Sequence, residues 1–137
     1  MAVETAESLS SVPVSIAYFG TSLLVYAVGV AVHAGIAPYP ELRLVREGNS
    51  AAAAGFAGAL LGLALPLASV VMHSESLLDQ LIWSAIAVGL QLVVVALLRR
   101  MIPQINRNVV EGQVASGVLL AALALSIGVL NAAAMAY

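Results

Sequence analysis

A pattern of charged and amide residues occurs twice in the sequence, and its residue types could support ion pairing, helix capping or ligand binding. An arginine is followed four residues later by a glutamate, then by a glycine and an amide residue, and the two copies lie 64 positions apart. In a helix, an arginine and a glutamate at this spacing can form an ion pair, and asparagine is a good cap for the helix that follows. The polar members of the pattern are Arg43, Glu47, Asn49, Arg107, Glu111 and Gln113.

Two interpretations of this pattern remain open. In the first, the arginines provide positive charge that sets the topology of the chain, and the other residues cap the turn into the next helix. In the second, the two copies form a pseudo-symmetric polar cluster that binds a partner or an ion. Gln113 is a weaker cap than Asn49, so the second copy departs from strict symmetry.

A few polar residues and one proline lie within long apolar stretches, where a polar group is costly if the stretch is embedded in hydrocarbon. The proline predicts a helix kink and a free backbone carbonyl. Gln91 predicts either a hydrogen bond between helices or a pore ligand, and we expect no second polar residue at its depth in the neighbouring helices. The candidate intramembrane residues are Thr21, Ser22, Pro66, Gln91 and Asn131.

Other kinds of chemistry lack the residues that they need. The apolar stretches contain no Asp, Glu, Arg or Lys, which argues against a proton relay, a coupled ion site or a voltage sensor. The chain has no cysteine. His33 and His73 are predicted at opposite membrane interfaces, too far apart to share a metal ion. Because no nucleophile, base and acid occur together, we predict a non-enzymatic protein with no cofactor.

The composition indicates which elements carry these residues. Of 137 residues, 62% are hydrophobic and 9% are charged, whereas about a quarter of a soluble domain is charged. Four stretches without charge are long enough to cross about 30 Å of hydrocarbon as helices, and they cover residues 14–37, 50–72, 81–98 and 114–137. The N-terminus has acidic but no basic residues, so we expect the first stretch to be retained as a span. The sequence therefore predicts an all-α membrane protein with four transmembrane helices.

The distribution of charge predicts the orientation of these helices. All five arginines (Arg43, Arg46, Arg99, Arg100 and Arg107) lie in the segments that follow the first and third stretches. By the positive-inside rule those segments are cytoplasmic and both termini are outside, an N-out/C-out topology. The predicted segments are an extracytoplasmic N-terminal segment (1–13), a first transmembrane hairpin (14–72), an extracytoplasmic turn (73–80) and a second transmembrane hairpin (81–137).

The repeated pattern indicates that each hairpin is one copy of a duplicated unit. Two spans per unit leave both copies in the same orientation, so the predicted pseudo-axis runs along the membrane normal. Small residues recur at three- and four-residue spacing in the second and fourth spans, as in Gly58-x3-Gly62. This spacing predicts close helix packing, within one chain or between chains. The third span is bulkier, and we expect it to face lipid or another subunit.

Two segments of the chain resemble a known family. They are EGNSAAAAGFAGALLGLALPLASVVMHSESLLDQLIW and EGQVASGVLLAALALSIGVLNAAAM, which together resemble the YjfL-like bacterial inner-membrane proteins, catalogued as domain of unknown function 350. The resemblance covers about residues 14–135. It implies a four-span protein of the bacterial inner membrane, built from two related hairpins. It implies no established activity, although an association with envelope-stress and membrane-remodelling genes suggests a partner.

Two functions follow as expectations. The first is a non-enzymatic scaffold or docking component linked to envelope stress or membrane maintenance, whose arginines bind anionic headgroups or an acidic partner helix. The alternative is a homo-oligomeric channel or passive transport pathway lined by the candidate intramembrane residues. The expected partners are the lipid bilayer, further copies of the chain, and a peripheral or integral membrane protein; nucleic acid is not expected.

Overall fold

The computed structural model describes residues 1–136, so Tyr137, where the fourth predicted span ends, lies outside the described residues. Residues 1–136 form helices joined by short turns and contain no strand. The helices are α1 (Ala2–Ser10), α2 (Val12–Ile36), α3 (Glu41–Arg46), α4 (Ser50–His73), α5 (Leu77–Met101), α6 (Pro103–Val110) and α7 (Val114–Ala134).

Four helical segments are long and apolar enough to cross a membrane, which confirms the four predicted spans. They are Ala2–Ile36, Ser50–His73, Leu77–Met101 and Val114–Ala134. The first combines α1 with α2, so most of the predicted N-terminal segment (1–13) is helical and is part of this long segment, with a turn at Ser11 between the two helices.

Helix α5 is longer than the predicted third span at both ends. It begins at Leu77 because the Ser76 side chain caps it, accepting a hydrogen bond from the Asp79 backbone N–H at 3.1 Å. It ends at Met101 because Pro103 disfavours helical geometry in the residue before it. That residue, Ile102, has φ −127° and ψ 67°.

The two short helices, α3 and α6, lie at the end of the molecule that we call the arginine end, together with the adjoining ends of α2, α4, α5 and α7. Each short helix terminates in its own turn, and the two turns are of the same type. The N–H of Asn49 donates to the carbonyl of Leu44 and the N–H of Gln113 to the carbonyl of Asn108, each at 2.9 Å. Gly48 and Gly112 occupy the left-handed position with φ values of 86° and 84°, which glycine adopts without steric cost.

Helices α4 and α7 form the most extensive helix contact of the molecule and run side by side in the same direction. Ala51 lies against Gly117 near their first turns, and the Ser69 hydroxyl donates to the carbonyl of Ala132 at 2.7 Å near their last turns. The backbones approach so closely that a Cβ on Gly58 would collide with the backbone of Ala121. The predicted close packing is therefore present within one chain.

Helices α2 and α5 pack beside this pair, but they contribute unequally to the interior. Helix α2 buries only Gly29 and His33. Helix α5 buries a stripe at helical spacing, so the expectation that the third span faces lipid or another subunit is wrong for this face. The stripe consists of Gln80, Ser84, Ala87, Val88, Gln91, Val95 and Arg99.

Candidate functional site

Three ionisable side chains from three different helices meet in the interior of the arginine end. Arg99 Nη1 lies 3.1 Å from Glu41 Oε1, and His33 Nε2 lies 2.9 Å from Glu41 Oε2. The side chains of Glu41, His33 and Arg99 are 1%, 6% and 6% exposed. We call these three residues the ion cluster, in which one carboxylate connects α2, α3 and α5.

The local sequence explains how these side chains come together. His33 and Arg99 lie in the last turns of α2 and α5, where a positive charge is favoured by the helix dipole. The chain then leaves α2 through Pro38 and Pro40, which cannot continue that helix. Glu41 is the first residue of α3, so the turn that ends α2 returns a carboxylate to the same end of the bundle.

Arg99 has further contacts that extend the cluster to α6. Its Nε donates to Asn106 Oδ1 at 3.2 Å, and Asn106 Nδ2 donates to the Arg99 carbonyl at 3.0 Å. The guanidinium carbon lies 5.0 Å from the centre of the Tyr39 ring, a cation–π distance. Burial raises the pKa of the Tyr39 hydroxyl, and the positive charge of Arg99 opposes that rise.

This arrangement suits a structural ion pair better than a metal centre. The ion cluster offers one carboxylate and one imidazole, and the part of the chain that the structure describes contains no group of three or more potential metal ligands. Removing one partner from a buried ion pair leaves an uncompensated charge and costs about 3–5 kcal/mol. The cluster therefore fixes how α2, α3, α5 and α6 meet, because separating them would leave buried charges without partners.

The prediction that Arg99 lies in the loop after the third span is wrong. The predicted third span ends at residue 98, whereas α5 continues to Met101 and carries the buried Arg99 into the bundle. Glu41 was not a candidate from the sequence, although it is an acid in an otherwise arginine-rich segment. His33, predicted near an end of the first span, lies in the last turn of α2, and its ring is buried against Glu41. His73 is exposed and its Nδ1 lies 2.7 Å from the carbonyl of Ser69.

The two copies of the repeated pattern have different contacts. Asn49 caps α4 by accepting from the Ala52 N–H at 3.0 Å, and its Nδ2 donates to the Val109 carbonyl in α6 at 2.9 Å. Gln113 makes no such cap for α7, as expected for a weaker capping residue.

Charge pairing also differs between the copies. Arg43 and Glu47 form an exposed pair at 3.7 Å, but no corresponding ion pair joins Arg107 and Glu111 within the described chain. The six polar residues therefore do not form one symmetric cluster, and only Asn49 connects the two copies.

Two candidate intramembrane residues meet in the interior. Gln91 Nε2 donates to the Ala124 carbonyl at 3.0 Å, and Asn131 Nδ2 donates to the Ala87 carbonyl at 2.8 Å. Asn131 Nδ2 also lies 3.5 Å from Gln91 Oε1. The expectation that no second polar residue accompanies Gln91 is therefore wrong. Both amides join α5 to α7, in agreement with the interpretation of Gln91 as a bond between helices.

The remaining intramembrane candidates do not join this pair. Thr21 donates to the Ala17 carbonyl in its own helix at 2.8 Å. Ser22 accepts a hydrogen bond of 2.6 Å from Gln80 Nε2. Gln80 is fully buried but was not a candidate, although it precedes Ser84, Ala87 and Gln91 at helical spacing in the sequence.

Pro66 lies inside α4 and is buried. Its missing N–H frees the carbonyl of Gly62, four residues earlier. That oxygen lies against Gly128 of α7, and the freed carbonyl therefore faces another helix of the same chain.

Comparisons with known proteins agree with the resemblance stated above. A family model described as Domain of Unknown Function (DUF350) matches residues 7–135. The chain is 31% identical over 121 residues to the UPF0719 inner membrane protein YjfL of Escherichia coli (strain K12). This match covers 88% of the chain and 92% of that protein. The YjfL protein of Escherichia coli O157:H7 shows the same identity and coverage. No solved structure shows a significant match.

This similarity and the four apolar helices place the chain in the inner membrane as a multi-pass protein. Since the family model covers nearly the whole chain and a relative above 30% identity does likewise, the chain belongs to the DUF350 family.

Proposed function

We propose that the protein is a non-enzymatic scaffold of the inner membrane that docks a peripheral protein at its arginine end. The observation that carries this proposal is the contrast between the two sets of polar groups. The side-chain amides inside the bundle form hydrogen bonds to neighbouring helices. In contrast, most of the charged side chains of α3 and α6 are exposed at one end of the molecule. A rigid bundle with charged short helices at one end suits the presentation of a docking surface.

The exposed charges make an acidic surface the preferred partner. Arg43, Arg46, Arg100 and Arg107 are exposed at the arginine end, and only Arg43 has a nearby acid within 4.0 Å among the described residues. Complementary charge accelerates association and selects partners more than it adds affinity. A peripheral protein with an acidic helix is the partner we expect, in the envelope-stress or membrane-maintenance setting that the family resemblance implies.

The proposal includes an N-out/C-out topology and an origin by parallel duplication. The five arginines of the chain support a cytoplasmic arginine end through the positive-inside rule. Contacts between α4 and α7 support duplication, because Ala51 meets Gly117, Gly58 meets Ala121 and Gly62 meets Ala124. These partners differ by 62 to 66 positions, close to the 64-residue offset of the repeat. A pseudo-axis along the membrane normal would bring equivalent residues together in this way.

Site-specific photo-crosslinking in native membranes tests the docking function. A photoreactive residue at position 46 or 107 should crosslink a peripheral protein. The same residue at position 75, in the turn between α4 and α5 at the opposite end of the molecule, should not. Arg43→Gln combined with Arg107→Gln should lower the yield of a crosslink from position 46, because the variant removes complementary charge. Equal yields with and without the two arginines would contradict the proposal, as would recovery of the chain alone with no crosslink under envelope stress.

A homo-oligomeric channel is the second candidate, and the exposure of α2 favours it. Gly20 and Gly35 have no neighbour within 4 Å of an added Cβ, so this helix has a surface available for a second copy. The proposed lining is less favourable, because Gln91 and Asn131 are buried and bonded inside one chain. Solute flux through reconstituted protein that is lost in Gln91→Leu would favour the channel over the scaffold.

A further inference from the structure

A groove of about 640 Å³ lies between the last turns of α2 and α5 at the arginine end. Its volume falls within the range of small-molecule sites, about 300–1,000 Å³. One part of the groove is apolar and includes Leu92, Val93 and Ala96, and the other part includes Arg99, Arg100 and Asn106. The groove therefore changes from apolar to basic along α5.

The change in polarity follows the depth of the groove. Leu92 and Arg100 are separated by about 12 Å along the helix, at 1.5 Å per residue. Arg99 and Arg100 lie in the last turn of a span, the level at which lipid phosphates meet the protein. A phospholipid shows a matching change in polarity over this distance, from apolar acyl chains to a negatively charged phosphate.

The charges of the groove favour an anion. Glu41 offsets the charge of Arg99 from inside the bundle. Arg100 is exposed, and no acid lies within ion-pair distance of it in residues 1–136. Basic pockets between membrane helices bind anionic lipid headgroups for this reason.

Arg99 has one hydrogen-bond donor that is left without a partner in the part of the chain that the structure describes. Its Nη2 is buried and has no hydrogen-bond partner among the described residues, although Nε and Nη1 each have one. A buried donor without an acceptor costs about 1–3 kcal/mol. Since Nη2 is shielded inside the bundle, a phosphate in the groove would be attracted by the positive charge of Arg99 and would not bond to this atom.

We infer that this groove binds one anionic phospholipid. Its phosphate contacts Arg100 and approaches Arg99 from the membrane side, with Asn106 as a further polar neighbour. One acyl chain lies along Leu92, Val93 and Ala96. The site lies on the membrane-facing side of α2 and α5, so it does not depend on the docking of a peripheral protein.

Native mass spectrometry of the full chain tests this inference. Delipidated protein is titrated with phosphatidylglycerol, with phosphatidylcholine and with inorganic phosphate, and bound ligand is counted. Phosphatidylglycerol should bind more tightly than either alternative. Arg100→Gln should weaken its binding about fivefold, the effect of one arginine near a lipid surface. Arg46→Gln is the matched control, because Arg46 is exposed at the same end but does not line the groove; it should change binding by less than about twofold.

A second variant addresses the acyl chain. Ala96→Phe fills the apolar part of the groove without a change in charge, and it should weaken phosphatidylglycerol binding as well. If Ala96→Phe fails to fold, the contrast between Arg100→Gln and Arg46→Gln decides alone. Equal loss in those two arginine variants would overturn the inference. Equal affinity for phosphatidylcholine would overturn it too, because the site would then not distinguish an anionic headgroup. Equal affinity for inorganic phosphate would overturn it as well, because the site would then bind a free anion without the acyl chains.

Discussion

Glu41 is a carboxylate that is almost completely buried at the arginine end. Its two carboxylate oxygens face different partners, Arg99 and His33, and almost none of its side chain is exposed. Desolvation of a charged pair offsets much of its attraction, so an intact buried pair contributes little net stability. Loss of one partner is different, since the remaining charge stays buried without compensation.

A double-mutant cycle measures this asymmetry. We expect Arg99→Gln to lower the free energy of unfolding by about 3–5 kcal/mol, with Glu41→Gln comparably destabilising. The combined variant should lose less than the sum of the two, by about 0.5–3 kcal/mol. The measurement is unfolding in detergent micelles followed by circular dichroism. Arg100→Gln is the control and should change stability little, because Arg100 is exposed; additive losses at positions 41 and 99 would contradict the coupling.

Helix α4 depends on the turn that precedes it. Asn49 caps this helix and also donates to the Val109 carbonyl, which attaches the turn after α3 to α6. Gln113 occupies the corresponding position before α7 without capping it. The two turns have the same backbone geometry, so the side chain is the main local difference between them.

Alanine at these two positions separates the side chain from the turn. We expect Asn49→Ala to lower the free energy of unfolding by about 1–2 kcal/mol, through loss of a cap and of a hydrogen bond to α6. Gln113→Ala should change it by less than about 0.5 kcal/mol. Thermal unfolding of both variants in the same detergent makes the comparison. Equal destabilisation would show that the cap of α4 has no special importance.

The contact between α4 and α7 depends on the absence of side chains at specific glycines. Gly58 faces the backbone of Ala121, whereas Gly89 on α5 has no neighbour within 4 Å of an added Cβ. In lipid, where apolar side chains gain little by association, such backbone contact is a main source of helix packing energy.

The same substitution at these two glycines should have opposite effects. Gly58→Ala must separate α4 from α7 and should destabilise the protein by about 1–3 kcal/mol. Gly89→Ala should be neutral or stabilise it by up to about 1 kcal/mol, because alanine is the better helix former. Unfolding in detergent by sodium dodecyl sulfate titration measures both. A Gly58→Ala variant as stable as Gly89→Ala would mean that the two helices can move apart without loss.

At the scale of the whole molecule, the helices of different predicted hairpins interlock. Helix α4 of the first hairpin packs along α7 of the second, and α2 meets α5 through the bond from Gln80 to Ser22. The amides Gln91 and Asn131 then join α5 to α7. Neither hairpin therefore has a separate core, and we expect the four spans to unfold as a unit.

The topology of the whole chain can be tested with single cysteines, because the sequence contains none. We expect Arg46→Cys to react with a membrane-impermeant maleimide only after the cytoplasmic side is opened. Glu75→Cys should react from outside intact cells, as the positive-inside rule predicts. Both positions are exposed, so access to the reagent and not burial decides the result. The opposite labelling pattern would reverse the proposed orientation.

The four spans could be predicted from sequence because a long apolar helix satisfies its own backbone groups in hydrocarbon, and its length and composition are visible in the sequence. The capped turn at Asn49 was predictable for a similar reason, since capping is a local interaction between neighbouring residues. Gly58-x3-Gly62 predicted close packing as well, but spacing alone left the partner helix open. In these features the sequence is informative because the constraint is local or is imposed by the solvent.

The ion cluster was decided only by the tertiary structure. Glu41 lies in a segment rich in arginine, and its partner Arg99 is 58 positions away on another helix. The meeting of Asn131 with Gln91, 40 positions apart, was equally absent from any local pattern. The sequence alone therefore determined which segments enter the membrane, because hydrocarbon acts on each segment separately. The burial of a charge depends on partners supplied by other helices, so only the packed bundle decided it.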